Sequence, residues 1–121
     1  MEERPTVVVA SASEGIRAQL RLTLGDERFA VIEAEDTRDA AMRVADQLPA
    51  VVVLDAGLPG DGAASLVKVL RQQPETAEIR ILLLAPRGAR SAGLPGGVDA
   101  TVGMPATSFA LLRRIEGLIE A

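Results

Sequence analysis

Val51-Val52-Val53-Leu54-Asp55-Ala56-Gly57-Leu58-Pro59-Gly60-Asp61-Gly62 is the stretch that decides the fold. Its first four residues are apolar and mostly β-branched, with no polar alternation. Such a run is expected in a central parallel strand covered on both faces. The run ends on an acid, and a Gly/Pro-rich loop follows at once. In open α/β sheets the carboxyl ends of the strands are where ligands and chemistry sit, so Asp55 is the first candidate functional residue.

Working outward, the same alternation repeats along the chain. Thr6–Ala10 reads as a buried first strand, broken by Ser11-Ala12-Ser13-Glu14-Gly15. Ile16, Leu20 and Leu24 then recur at helical spacing, with Ser13 as the cap and Gly25-Asp26 as the stop. Phe29–Ala34 reads as a second strand. Asp36-Thr37 opens a second helix with Ala40, Ala41, Val44 and Leu48 as its apolar stripe, stopped by Pro49. Ala50–Asp55 is the third strand. Ala64, Leu66, Val67, Val69 and Leu70 supply a third helix that ends near Gln73-Pro74, and Ile79–Ala85 is a fourth strand.

Pro86–Gly97 breaks the rhythm with four Gly and two Pro, so a helix of ordinary length is not expected there. The same composition predicts the most mobile segment of the chain. Val98–Gly103 reads as a fifth strand. Thr107 or Ser108 caps a last helix with Phe109, Leu112, Ile115 and Ile119 as the expected inner face. Five strand-helix alternations imply a parallel sheet with helices on both faces. With right-handed crossovers, the expected fold is a flavodoxin-like (βα)5 three-layer sandwich of strand order 2-1-3-4-5, with a shortened or irregular fourth helix. The 121 residues suit a single domain, residues 1–121.

Composition removes several function classes. The chain has no Cys, His, Trp or Tyr, and Phe29 and Phe109 are its two aromatics. Thiolate chemistry, histidine acid–base chemistry and Cys- or His-based metal sites are therefore excluded, as is stacking on single-stranded nucleic acid. A net charge of −4 argues against non-specific binding to DNA. The start lacks an apolar signal core, and the longest apolar runs fall short of a bilayer span. A cytoplasmic protein without membrane or nucleic-acid partners is the expectation.

Val51–Asp55 followed by Leu58-Pro59-Gly60 and Asp61-Gly62, with Arg17, Gly97-Val98-Asp99-Ala100 and Pro105, resembles a response-regulator receiver domain over nearly the full chain. The resemblance implies a bacterial two-component signalling role, and that Asp55 stands where the family accepts a phosphoryl group from a histidine kinase. In that family an acid pair after the first strand holds Mg²⁺, and a Thr or Ser ending the fourth strand and a Lys before the Pro bind the phosphorylated product. Here the acid-pair positions hold Ser11 and Ala12, the hydroxyl position Ala85 and the Lys position Met104. The switch aromatic of the fifth strand is replaced by Thr101. The loop after Asp55 is one residue short.

The resemblance is thus to a degenerate, or pseudo-receiver, variant, in which Asp55 is an inactive phosphoacceptor equivalent. Mg²⁺ demands hard oxygen ligands, so no metal or other cofactor is expected, and no enzymatic activity. Arg87, just past the fourth strand, is a candidate counter-charge for Asp55, and the Met104–Pro105 bond is expected to be cis, as in the family. Glu14 with Asp55 is a weak metal pair, and Ser11–Gly15 a weak anion loop.

The favoured function is signalling by phosphorylation-independent protein contact, as the input domain of a longer regulator or as a stand-alone adaptor. The implied partners are a histidine kinase or an output domain. Arg17 and Arg21 lie on the family's kinase-docking side, and a homodimer through the last helix is a further expectation. Two alternatives stand beside this: a phospho-accepting regulator using Asp55 with an atypical metal site, and a small-ligand-binding flavodoxin-like domain.

Overall fold

Three of the strands are so apolar that they must be covered on both sides, and the sheet is built around them. Val7–Ala10, Val51–Leu54 and Ile81–Ala85 are all buried in a computed structural model that describes residues 4–90 and 93–121. The chain runs β1 (Thr6–Ala10), α1 (Glu14–Arg28), β2 (Ala30–Ala34), α2 (Thr37–Gln47), β3 (Val51–Asp55), α3 (Ala63–Gln72), β4 (Arg80–Pro86), β5 (Ala100–Met104) and α4 (Ser108–Glu120). All the strand pairs are parallel, in the order β2-β1-β3-β4-β5. This is the expected flavodoxin-like sheet.

Alternation along each strand divides the core in two. Val8, Ala10, Val52, Leu54, Ile81 and Leu83 face Ala40 and Val44 of α2 and Leu66, Val67 and Leu70 of α3. Val7, Val9, Val51, Val53, Leu82 and Leu84 face Leu20 and Leu24 of α1 and Leu111 and Ile115 of α4.

Caps set three helix starts. Ser13 accepts from the Ile16 amide, Asp36 from the Asp39 amide and Thr107 from the Ala110 amide. The end of α1 differs from expectation. Gly25 leaves helical geometry at φ 66°, a value open to glycine, but one further turn carries the helix to Arg28.

Three helix faces also differ. Leu48 is the left-handed C-cap of α2, more than half exposed. The first buried residue of α3 is Ala63, while Ala64 is exposed. In α4 the buried residues are Leu111 and Ile115, and Phe109 is 71% exposed. Two residues at about 100° each put Phe109 nearly opposite Leu111. Leu111, Ile115, Leu118 and Ile119 form the fuller i, i+4, i+7, i+8 stripe, and that stripe wins the core.

Between β4 and β5 no α-helix forms among the described residues, which hold four α-helices beside five strands, in keeping with the expected shortened or irregular fourth helix. Met1–Glu3 lie outside the described residues, as do Ser91 and Ala92 within the segment expected to be most mobile. The end of this connection is held by Arg71 of α3. Its guanidinium donates to the carbonyls of Gly97 (3.0 Å), Ala77 (2.8 Å) and Ile79 (2.6 Å) and to the Asp99 carboxylate (2.9 Å). Asp99 in turn accepts from the Ile81 amide at 2.7 Å. One side chain thus ties the end of this connection to the loop that leads into β4 and satisfies carbonyls of both. Leu94 and Val98 pack against the α2–α3 side of the core.

Candidate functional site

Parallel register brings the carboxyl ends of β1, β3 and β4 level. Ala10 pairs with Leu54, and Asp55 pairs with Leu84. Ser11, one residue past β1, therefore stands beside Asp55. Its hydroxyl is fully buried and donates to Asp55 Oδ2 at 2.7 Å, while accepting from the Ser13 amide at 3.0 Å. The other carboxylate oxygen, Oδ1, accepts from the Gly57 amide at 2.9 Å. Both oxygens of Asp55 are thus held by neutral donors.

Asp55 opens into a shallow cleft of about 480 Å³ whose walls are Ile16, Leu84, Pro86, Met104 and Pro105, with Ser13 and Gln19 at the rim. Met104 contributes an apolar wall there, and the Met104–Pro105 bond is cis. Ala85 is buried opposite Gly103 of β5 and offers no hydroxyl. Ala12 is exposed.

Two candidates are not brought to Asp55. Thr101 is exposed on β5, opposite Leu83, and lines a different cleft. Arg87, proposed as the counter-charge, turns the other way: its Nε donates to the Pro105 carbonyl at 3.0 Å and its stem lies over Gly103. Among the described residues no ion pair reaches Asp55. The reason is positional. Arg87 follows β4 by one residue, and its amide continues the ladder onto the Met104 carbonyl (3.1 Å), which aims its side chain along β5.

Glu14 is drawn away from Asp55 as well. Its carboxylate meets Arg17 at 2.6 Å and Arg21 at 3.5 Å. Arg17 is 8% exposed and also pairs with Glu33 at 3.1 Å and Glu35 at 3.8 Å, while Nη1 donates to the Ser11 carbonyl at 2.8 Å. Arg21 meets Glu33 at 2.7 Å. The hydrogen bond from Arg21, aided by both arginine charges against some desolvation, holds the Glu33 carboxyl below the usual carboxylate range. Among the described residues no three acidic side chains gather as a metal site would need.

Thr37 is a site residue that sequence reasoning took only for a cap signal. Its hydroxyl donates to the Pro59 carbonyl (2.8 Å) and accepts from the Gly62 amide (3.0 Å), tying the loop after Asp55 to α2. Gly60, at φ 101°, passes so close that a Cβ there would stand 3.1 Å from the Thr37 side chain. The Leu-Pro-Gly string was the available signal: a glycine in a loop marks a close approach as well as a turn. Gln19, at the rim, donates to the Ala106 carbonyl at 2.9 Å and ties α1 to the segment after Pro105.

No family profile matches the chain. It is 32% identical over 118 residues, 95% of its length, to the phosphate regulon transcriptional regulatory protein PhoB of Rhizobium meliloti, and covers 52% of that protein. The chain spans about half the length of the relatives it matches. Among solved structures, a putative response regulator from Chloroflexus aurantiacus superposes with a TM-score of 0.91 at 24% identity, covering 98% of this chain and 100% of that one. The chemotaxis response regulator CheY4 of Vibrio cholerae does so with a TM-score of 0.85 at 22% identity, over 96% and 99%. With a 2-1-3-4-5 parallel sheet and an aspartate ending its central strand, the chain resembles the receiver domains of two-component response regulators along almost its whole length.

Proposed function

We propose that this receiver-like chain signals by protein–protein contact without accepting a phosphoryl group, as a pseudo-receiver that holds no Mg²⁺ and catalyses no reaction. The observation that carries this reading is the Ser11–Asp55 hydrogen bond. A neutral hydroxyl stands where phosphoryl transfer would need a metal-binding carboxylate, and it occupies an Asp55 oxygen. Transfer to a carboxylate works through cations that neutralise the developing charge on the phosphoryl oxygens. Around Asp55 there are a hydroxyl, an amide and apolar side chains. Mg²⁺ near-ideally surrounded by oxygens finds one carboxylate here, and Glu14 is committed to arginines. The partner on this reading is a histidine kinase or an output domain, approached through the α1 rim or the face of β5 and α4.

The test is to incubate the protein with acetyl phosphate and Mg²⁺, and separately with beryllofluoride and Mg²⁺. Intact-mass and ¹⁹F NMR measurements are then made on the protein and on Asp55→Asn. The expected result is no adduct on either. A stoichiometric adduct that Asp55→Asn removes would overturn the proposal and make Asp55 a working phosphoacceptor.

A further inference from the structure

The cleft along β5 and the start of α4 is about 690 Å³ and lies outside the Asp55 site. Arg87, Arg113 and Arg114 all line it, and no acidic residue does. The chain as a whole carries a net charge of −4. Elsewhere Arg17, Arg21, Arg28, Arg43, Arg71 and Arg80 each meet a carboxylate. Among the described residues none of the three cleft arginines does. Glu116, the acid one turn further along α4, is taken by Arg28.

The cleft also has an apolar floor and an open edge. Phe109 is 71% exposed there, with the Arg113 guanidinium 6.0 Å from its ring centre. β5 is the last strand of the sheet. Gly103 lets Arg87 lie flat along it, since a Cβ there would stand 3.2 Å from Arg87 Cγ. Three arginines lining one cleft beside an exposed ring are complementary to carboxylates flanking an apolar side chain.

We propose that this cleft docks an acidic segment of a protein partner, with its carboxylates on Arg87, Arg113 and Arg114 and an apolar side chain on Phe109. The proposal rests on the reading that the chain works through protein contact, and it names the chemistry of that contact. A second copy of the chain fits poorly, because a two-fold interface would set these arginines against one another with no acid in the lining to meet them. Duplex DNA fits poorly because the rest of the chain is acidic and would be repelled.

Fluorescence anisotropy with a labelled peptide of alternating Glu and Leu tests this, with a matched Lys/Leu peptide as control. The Glu peptide is expected to bind, more weakly at high salt, and about tenfold more weakly to R113E/R114E. The Lys peptide is expected to bind that variant and not the wild type, a reversal that a misfolded variant would not give. Equal affinity of both proteins for the Glu peptide, or no binding, would overturn the proposal. So would tighter binding of a DNA duplex, or a wild-type dimer in sedimentation that the variant abolishes. Asp55→Asn is expected to bind the Glu peptide as the wild type does. A phosphoryl adduct at Asp55 would therefore defeat the pseudo-receiver reading while leaving this result standing.

Discussion

The rim formed by α1 and β2 and the cleft formed by β5 and α4 are both furnished with arginine, and they are opposites. On the rim, Arg17 and Arg21 are enclosed by Glu14, Glu33 and Glu35. In the cleft, Arg87, Arg113 and Arg114 have no carboxylate in the lining. The same side chain therefore does two jobs. On the rim it is spent internally: Arg17 grips the Ser11 carbonyl and so steadies the hydroxyl that holds Asp55. In the cleft its charge is left for something outside the chain. An arginine's neighbours, more than its own chemistry, decide whether it supports the fold or faces a partner.

The comparison breaks most readily at Arg17. Arg17→Ala is expected to cost about 2 kcal/mol, because a nearly buried guanidinium loses a carbonyl and several carboxylates and leaves its stem unfilled. Urea midpoints measure this, and a loss within the error of a surface substitution would show the rim to be ornamental. Ser11→Ala comes next, at about 1 kcal/mol, since it removes the bond to Asp55 and the one from the Ser13 amide.

A smaller and pH-dependent effect is expected from Glu33→Gln. Glu33 titrates lower in the folded chain than in the unfolded one. Its stabilisation is therefore complete above the ordinary carboxylate range and lost as pH falls through the folded value. Wild type and variant should differ most near neutral pH and converge in acid. Stability curves that stay parallel down to strong acid would remove the carboxylate from the account. The smallest effect belongs to the cleft: Arg113→Ala and Arg114→Ala are expected to change stability by less than about 0.5 kcal/mol each, since neither has a carboxylate to lose and the contact of Arg113 with the exposed Phe109 ring is a weak one in water. A larger loss in thermal melts would mean that the cleft arginines support the fold after all.

The three central strands were legible because each carries an apolar run that makes sense only between two layers. Val7–Ala10, Val51–Leu54 and Ile81–Ala85 were all read as such and are buried. The caps Ser13, Asp36 and Thr107 were legible because they act on amides within three residues. The face of α4 was misread because Phe109 and Leu111 are both apolar and lie nearly opposite, and only packing against the sheet selects between them. The Arg71–Asp99 clamp was not legible, since 28 residues separate its members and nothing local marks them.

Asp55 shows where the division falls. By itself the sequence determined that an acid ends the central strand and that no ordinary helix fits between β4 and β5. These follow from residue identity and from short-range backbone preference. The tertiary structure alone decided who keeps Asp55 company. Sheet register set Ser11 beside it across 44 residues, and the continuing ladder from β4 sent Arg87 along β5 instead. A carboxylate's partner is a matter of a few ångströms, and those are fixed by strand pairing between distant parts of the chain.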